Sequence, residues 1–192
     1  QSSNGLEVYA SNGFVKLNSL TIHPLKKIWG QSPFKSNLAG WTTVNGLWAD
    51  TIDGKQGRSD GDSFITSSAS GTDFTYESDI TIKDGNGRGA GALVFRADQD
   101  VKNGYLTNVD AKHDVVKFFK FENGSAAVIA EHKTPIDVNK TYHLKTVARG
   151  ANFKIYLDDH LVIDAHDSTF KHGTFGLNVW EATAVFQDVY VD

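Results

Sequence analysis

Cysteine and methionine are both absent from this chain of 192 residues, and proline occurs only 3 times. The absence of cysteine excludes a disulfide framework, a thiol nucleophile and cysteine-ligated metal sites. No run approaches the roughly 20 apolar residues of a membrane span, so no membrane partner is expected. No basic stretch followed by an apolar one, the pattern of a signal peptide, opens the chain. Its length favours one principal globular domain.

Acidic residues slightly outnumber basic ones, with 23 Asp+Glu against 19 Lys+Arg and a net charge of −4. Residues 1–40 contain four lysines and one glutamate, whereas residues 41–192 carry a net charge of −7. This balance is poorly suited to a phosphate backbone, so nucleic acid is not expected as a partner. The sign changes near residue 40, close to residues 30–33 (GQSP), which are typical of a linker. Chance clustering of lysines explains the asymmetry equally well.

Alternation of apolar and polar residues, the pattern of half-buried strands, runs through most of the chain. Two runs, 6–10 and 14–22, flank a Ser-Asn-Gly turn and predict a β-hairpin. No window predicts an amphipathic helix. The chain is therefore predicted to be all-β, an antiparallel two-sheet β-sandwich or jelly roll. The further predicted strands are 73–83, 89–97, 105–110, 114–121, 126–131, 141–148, 152–157, 160–163, 174–180 and 184–191.

Motifs for catalysis are largely missing. Gly85–Ala90 superficially matches a dinucleotide-binding fingerprint, but a predicted strand rather than a helix follows it. Neither H-E-x-x-H nor G-x-S-x-G occurs, and the 7 histidines are expected mostly at surface turns. The acidic, glycine-rich segment 50–62 lacks the spacing of a helix–loop–helix calcium site. It is predicted to be a loop with three possible roles. It is a solvated loop, it forms the polar rim of a ligand site, or it contributes to a calcium site built across distant strands.

Two predicted strand ends carry side chains that suit sugar recognition. In such sites an aromatic ring packs on C–H groups, while arginine and carboxylate groups hold hydroxyls. Alternation places Leu93 and Phe95 on one face and directs Arg96 away from them. Trp180 is likewise expected to point outward, with Glu181 in the following turn. An outward tryptophan is costly unless something covers it, so ligand stacking and packing under a loop both stay open.

Long segments of the chain resemble known families. Gly5–Trp29 (GLEVYASNGFVKLNSLTIHPLKKIW) resembles the last hairpin of the β-sandwich that ends glycoside hydrolase family 32 enzymes. Gly89–Phe121 (GAGALVFRADQDVKNGYLTNVDAKHDVVKFFKF) and Gly173–Asp192 (GTFGLNVWEATAVFQDVYVD) resemble carbohydrate-binding module family 66, which is appended to bacterial levanases. The resemblance covers the whole chain and divides it into a hairpin remnant with its linker, 1–32, and a fructan-binding module, 33–192.

The resemblance implies a concanavalin-like β-sandwich that binds terminal fructose residues of levan and other fructans. It implies that the module targets a covalently linked, secreted, exo-acting levanase to its substrate. The catalytic motifs of family 32, W-x-N-D-P-N-G, Arg-Asp-Pro and Glu-Cys, are absent from the chain, so binding without cleavage is expected. We further expect a monomer without a cofactor and leave a structural calcium open.

The expected ligand site combines strand ends with the acidic segment. Its candidate residues are Asp60, Asp62, Arg96, Tyr105, Trp180 and Glu181. The two rings would pack against the furanose, the arginine and the glutamate would hold hydroxyls, and one of the aspartates would complete the rim. Two alternatives stay open. One is a glycoside hydrolase domain, which needs a carboxylate pair in a deep cleft, and the other is a structural sandwich that braces the catalytic domain.

Overall fold

The computed structural model describes residues 34–84 and 88–192, and this part of the chain consists of strands and connecting turns without a helix. The predicted all-β, antiparallel class is confirmed. The strands are β1 Thr42–Thr43, β2 Leu47–Thr51, β3 Gly54–Gly71, β4 Phe74–Lys83, β5 Ala90–Ala97, β6 Gly104–Asp110, β7 Val115–Glu122, β8 Ser125–Lys133, β9 Thr141–Arg149, β10 Asn152–Leu157, β11 His160–His166 and β12 Gly173–Val191.

Two of the sequence predictions concern residues that the structure does not describe. The hairpin predicted from residues 6–10 and 14–22 and the linker at 30–33 lie outside the described residues. Among the described residues, no helix is long and apolar enough to cross a membrane.

The hydrogen bonds connect all twelve strands into one sheet, in the order β11-β10-β9-β4-β12-β5-β6-β7-β8, with β3 alongside β12 and also pairing with β1 and β2. Strand β12 joins two halves of this sheet, because residues 174–180 pair with β5 and residues 183–191 pair with β4. We predicted two separate sheets. The described strands instead share the long β3–β12 ribbon, which runs through both halves.

The core lies between the two halves of the curled sheet. Strand β4 shows the predicted alternation, and its buried inward residues are Phe74, Tyr76, Ser78, Ile80 and Ile82. Across the core, Thr107 of β6 and Thr146 of β9 share a hydrogen bond of 2.8 Å between their hydroxyls. The rings of Phe118 and Phe153 lie 4.9 Å apart between their centroids. These contacts show that strands distant in the sheet order face each other.

Two predicted boundaries are wrong. The acidic segment 50–62 is not a loop, because most of it belongs to β2 and β3. The predicted turn after Trp180 is also absent, since β12 continues to Val191. Both errors have one cause, which is that β3 and β12 pair with each other almost from end to end.

A bulge interrupts the β3–β12 pairing near its middle. Trp180 pairs with Asp62 and Ala182 pairs with Ser59, so unequal numbers of residues lie between these two pairs. Glu181 lies in this bulge with a φ of 44°. Bulges bend a strand and redirect its side chains, and this one lies where β12 passes from β5 to β4.

Candidate functional site

The face of the sheet opposite the core carries a depression over β5. Two rows of side chains cross the strands there, the first formed by Asp62, Trp180, Ala90 and Asp110, and the second by Asn178, Ala92, Asn108 and Lys117. In both rows the residue on β5 is alanine, whose side chain ends at Cβ. The larger side chains on the flanking strands therefore form walls around a floor of small residues.

The depression is a cavity of about 290 Å³. Its polar lining comes from Asp62, Asn108, Asp110, His113, Lys117 and Asn178. Its apolar lining comes from Leu106, Phe119, Phe121, Ala126 and Trp180. The site therefore combines aromatic surface with hydrogen-bonding groups of both kinds.

Asp110 organises the polar end of the cavity. Its side chain is only 2% exposed, and it accepts hydrogen bonds from the backbone N–H groups of Lys112 and His113 at 3.0 and 3.1 Å. The other carboxylate oxygen accepts from His113 Nδ1 at 2.8 Å and from Lys117 Nζ at 3.1 Å. A buried carboxylate needs such partners to offset its lost hydration, so Asp110 holds both basic side chains in place.

Trp180 forms the aromatic wall at the same end. Its ring stacks with that of His113, with centroids 5.8 Å apart and planes inclined by 20°. The ammonium group of Lys112 lies 4.9 Å from the centre of the Trp180 ring and pairs with the carboxylate of Glu181. Glu181 is therefore linked to the Trp180 ring through the ammonium group of Lys112 rather than by direct contact.

Asp62 and Asn178 form the opposite polar edge. The side-chain amide of Asn178 donates to Asp62 Oδ1 at 3.2 Å and to the carbonyl of Ser63 at 3.1 Å. Burial raises the pKa of Asp62 above its usual value; the Asn178 hydrogen bond opposes this shift and the nearby Glu181 charge adds to it. Because Asp62 lines the cavity, a ligand hydroxyl can donate to its carboxylate.

A neutral polyhydroxyl ligand fits this chemistry. The Trp180 and Phe119 rings offer apolar surface for C–H groups, and aromatic contacts of this kind need no charge on the ligand. Asp62 can accept from hydroxyls and Lys117 can donate to them. No group of three or more His, Cys, Asp or Glu side chains suited to hold a metal occurs within 34–84 and 88–192.

Arg96 lies elsewhere, and the prediction that it points outward is wrong. It is 2% exposed, and its guanidinium donates to three backbone carbonyls. Nε and Nη2 donate to Thr72 at 3.0 and 2.6 Å, Nη1 donates to Phe170 at 2.9 Å, and Nη2 also donates to Gly150 at 2.8 Å. Arg96 therefore ties three connecting segments together.

A bulge in β5 explains the error. Between two regular pairs of β5 and β12, the single residue Phe175 faces both Phe95 and Arg96. Arg96 adopts a φ of 49°, which breaks the strict alternation on which the prediction relied. Its guanidinium carbon consequently lies 5.0 Å from the ring centre of Phe153 in the core.

Tyr105 lies outside the Trp180 cavity as well, because it is 0% exposed and its ring packs in the core. Its hydroxyl donates to Asp167 Oδ1 at 2.6 Å and accepts from the backbone N–H of Phe170 at 2.9 Å. Burial and the Asp167 hydrogen bond raise the pKa of Tyr105 to about 12. Burial alone would raise the pKa of Asp167, but hydrogen bonds from Tyr105 and Thr169 and the Lys120 charge bring it down to about 2.

The structure thus brings together three of the six predicted residues. Asp62 and Trp180 line the cavity, and Glu181 borders it through Lys112. Asp60 lies in the same bulge as Glu181, exposed and outside the lining.

Sequence reasoning missed five polar residues of the cavity, which are Asn108, Asp110, His113, Lys117 and Asn178. A signal for two of them was present, because β6 alternates Leu106, Asn108 and Asp110 on one face against apolar and hydroxyl side chains on the other. Polar residues at regular spacing on a strand that is buried throughout indicate a site rather than a solvated surface.

Comparisons with known proteins agree with the resemblance. The family model of the 3-keto-alpha-glucoside-1,2-lyase-like domain matches residues 31–192. Levanase of Bacillus subtilis is 80% identical over 98% of this chain and 28% of its own length. Fructan beta-fructosidase of Streptococcus mutans is 33% identical over 76% of this chain and 11% of its own length. The chain thus spans about a quarter or less of these two curated relatives.

Solved structures identify the module more closely. The carbohydrate binding module CBM66 from Bacillus subtilis is 81% identical, with a TM-score of 0.83 over 83% of this chain and 99% of that one. A Bacillus licheniformis beta-glucanase at 14% identity and a TM-score of 0.61 shares the fold alone. Because the match to CBM66 spans nearly that whole module, the chain is a non-catalytic carbohydrate-binding module and not itself an enzyme. It belongs to the CBM66 family and matches the model of the 3-keto-alpha-glucoside-1,2-lyase-like domain family.

Proposed function

We propose that this module binds the terminal fructose residues of levan and related fructans in the cavity beside Trp180. The observation that carries the proposal is the convergence of Trp180, Asp62, Asn178 and Lys117 on one cavity. The names of the relatives support fructan as the sugar, since levanase and fructan beta-fructosidase both act on it. The two halves of the curled sheet would then serve as the two layers of a concanavalin-like sandwich.

The size of the cavity favours a chain end over an internal segment. At about 290 Å³ it lies at the lower limit of ordinary ligand pockets, which span about 300 to 1,000 Å³. One furanose ring would pack against Trp180. Its hydroxyl groups would donate hydrogen bonds to Asp62 and accept them from Lys117. Few contacts to one residue imply modest affinity for free fructose. Branched levan presents many ends, so a tethered module gains from their effective concentration.

In its longer protein, the module would hold an exo-acting levanase on its polymeric substrate outside the cell. This role uses the module as a monomer and needs no cofactor. We also infer that the fructan-binding module comprises residues 33–192, preceded by a hairpin remnant and linker at 1–32. The match of the family model to 31–192 supports this division.

The test is isothermal titration of the whole chain with levan and with fructose, together with gel retardation in levan. Trp180→Ala should weaken levan binding by about tenfold or more, because buried aromatic anchors typically dominate binding energy. Asp62→Asn should weaken levan binding by about ten- to a hundredfold, as expected for a lost hydrogen bond to a charged group.

Two substitutions on β11 serve as matched controls. Leu161 is 49% exposed and Asp164 is exposed, and neither lines the cavity. Leu161→Ala and Asp164→Asn should therefore leave levan binding unchanged. Absence of heat and of gel retardation with the unmodified chain would refute fructan binding and favour the structural role of bracing a catalytic domain.

A further inference from the structure

His113 lies in the short turn that follows β6, and its side chain is directed to the cavity. Its ring stacks against Trp180 and it lines the cavity. Its side chain is 49% exposed, so an incoming sugar can reach it. Nδ1 lies 2.8 Å from Asp110 Oδ2, whereas Nε2 has no hydrogen-bond partner within the described ranges. One nitrogen is therefore held by the protein and the other is open to a ligand.

The partners of Asp110 fix which nitrogen carries hydrogen. Its carboxylate accepts from two backbone N–H groups and from Lys117, so it can act towards His113 only as an acceptor. Nδ1 must then be the donor, and in the neutral imidazole Nε2 is left as an acceptor. A carboxylate or carbonyl often sets the tautomer of a functional histidine in this way.

We propose that His113 accepts a sugar hydroxyl at Nε2 and that Asp110 is the positioning residue that holds it there. The inference rests on the proposed sugar binding at this cavity.

Other charged groups face the imidazole from the surrounding strands. Asp62 lies on β3, Glu181 on β12 and Lys117 on β7, while Lys112 adjoins His113 in the turn. All of these residues are kept in the His113 variants described next. The difference between the unmodified chain and each variant at one pH therefore isolates the imidazole.

Two substitutions separate the roles of the two nitrogens. His113→Gln places a neutral amide near the position of Nε2, and His113→Asn places one near Nδ1. In titration with levan at pH 8, His113→Gln should bind within about threefold of the unmodified chain, because it keeps an acceptor near Nε2. His113→Asn should lose about five- to tenfold at pH 8.

Asp110→Asn tests the positioning role. Its amide can still accept one hydrogen bond but no longer fixes the histidine tautomer, so binding at pH 8 should weaken while the chain still unfolds cooperatively. His132→Gln is the matched control, because His132 is exposed on β8 outside the cavity lining and its replacement should leave levan affinity unchanged.

The outcomes separate this inference from the proposed function. Failure of the unmodified chain to bind levan would overturn both. Equal losses of levan affinity in His113→Gln and His113→Asn would overturn the inference about His113 alone, because only His113→Gln keeps an acceptor near Nε2. Unchanged affinity of His113→Asn at pH 8 would also overturn it, because that variant lacks an acceptor at the Nε2 position.

Discussion

Replacement of Arg96 by methionine provides a sharp test of the structural reasoning. Methionine keeps much of the apolar stem of arginine but removes every donor. In the native chain the guanidinium donates to the carbonyls of Thr72, Gly150 and Phe170, and none of these residues lines the Trp180 cavity. The substitution should therefore reduce stability without acting on the ligand directly.

The size of the effect follows from the groups left behind. Three carbonyls lose a charged donor, and hydrogen bonds to charged groups contribute about 1.5 to 3 kcal/mol each. Removing the buried charge itself recovers part of this loss, because arginine is costly to desolvate. A net loss of about 3 to 5 kcal/mol is expected. That is a large share of the roughly 5 to 15 kcal/mol that stabilise a typical domain.

Urea unfolding followed by tryptophan fluorescence measures the change. With a slope of about 2 kcal/mol per molar urea, the midpoint should fall by about 1.5 to 2.5 M. Lys154→Met is the control, since Lys154 lies on β10 with 49% of its side chain exposed and should shift stability by under about 0.5 kcal/mol. An Arg96→Met chain that is as stable as the native one, or that stays folded yet loses levan binding, would refute the reasoning.

Two further predictions concern stability and the bulge. The pKa of Asp167, about 2 in the folded chain, lies below its ordinary value. Its carboxylate therefore contributes stability above pH 4 that is lost as the pH falls towards 2. In acid titration, Asp167→Asn should lose about 2 kcal/mol less stability over this range than the unmodified chain. An added Cβ at Gly89 would lie 1.8 Å from the carbonyl oxygen of Trp180 and 2.7 Å from that of Glu181. Gly89→Ala should therefore displace the bulge and lower both the melting temperature and levan affinity, and equal values for both would contradict the geometry.

Local pattern was sufficient for most of the fold. The alternation in 73–83 predicted the inward face of β4, and every residue assigned to that face is buried. Turn sequences such as Asn123-Gly124 were found between strands, with left-handed φ angles of 52° and 79°. Strand period and turn chemistry are properties of a few adjacent residues, so they can be deduced without the tertiary fold.

The residues that line the cavity were predicted only in part. Trp180 and Asp62 were expected at the ligand site, and they line one cavity because β12 pairs with β3. Arg96 and Tyr105 were assigned wrongly, since a bulge turned one inward and the other belongs to the core. A bulge adds one residue to a strand and inverts the side-chain pattern beyond it, which no alternation rule anticipates.

The sequence by itself determined the all-β class, most strand positions from β4 onward, the family and the net-acidic balance of the chain. Only the tertiary structure decided which side chains meet. Asp62 and Trp180 lie 118 positions apart in the chain, yet they are direct neighbours across two strands. His113 and Asp110, unremarkable in the sequence, became part of the cavity because Ala90 and Ala92 leave room beside them. Strand register is a long-range property, set by packing of the whole sheet rather than by any local run of residues.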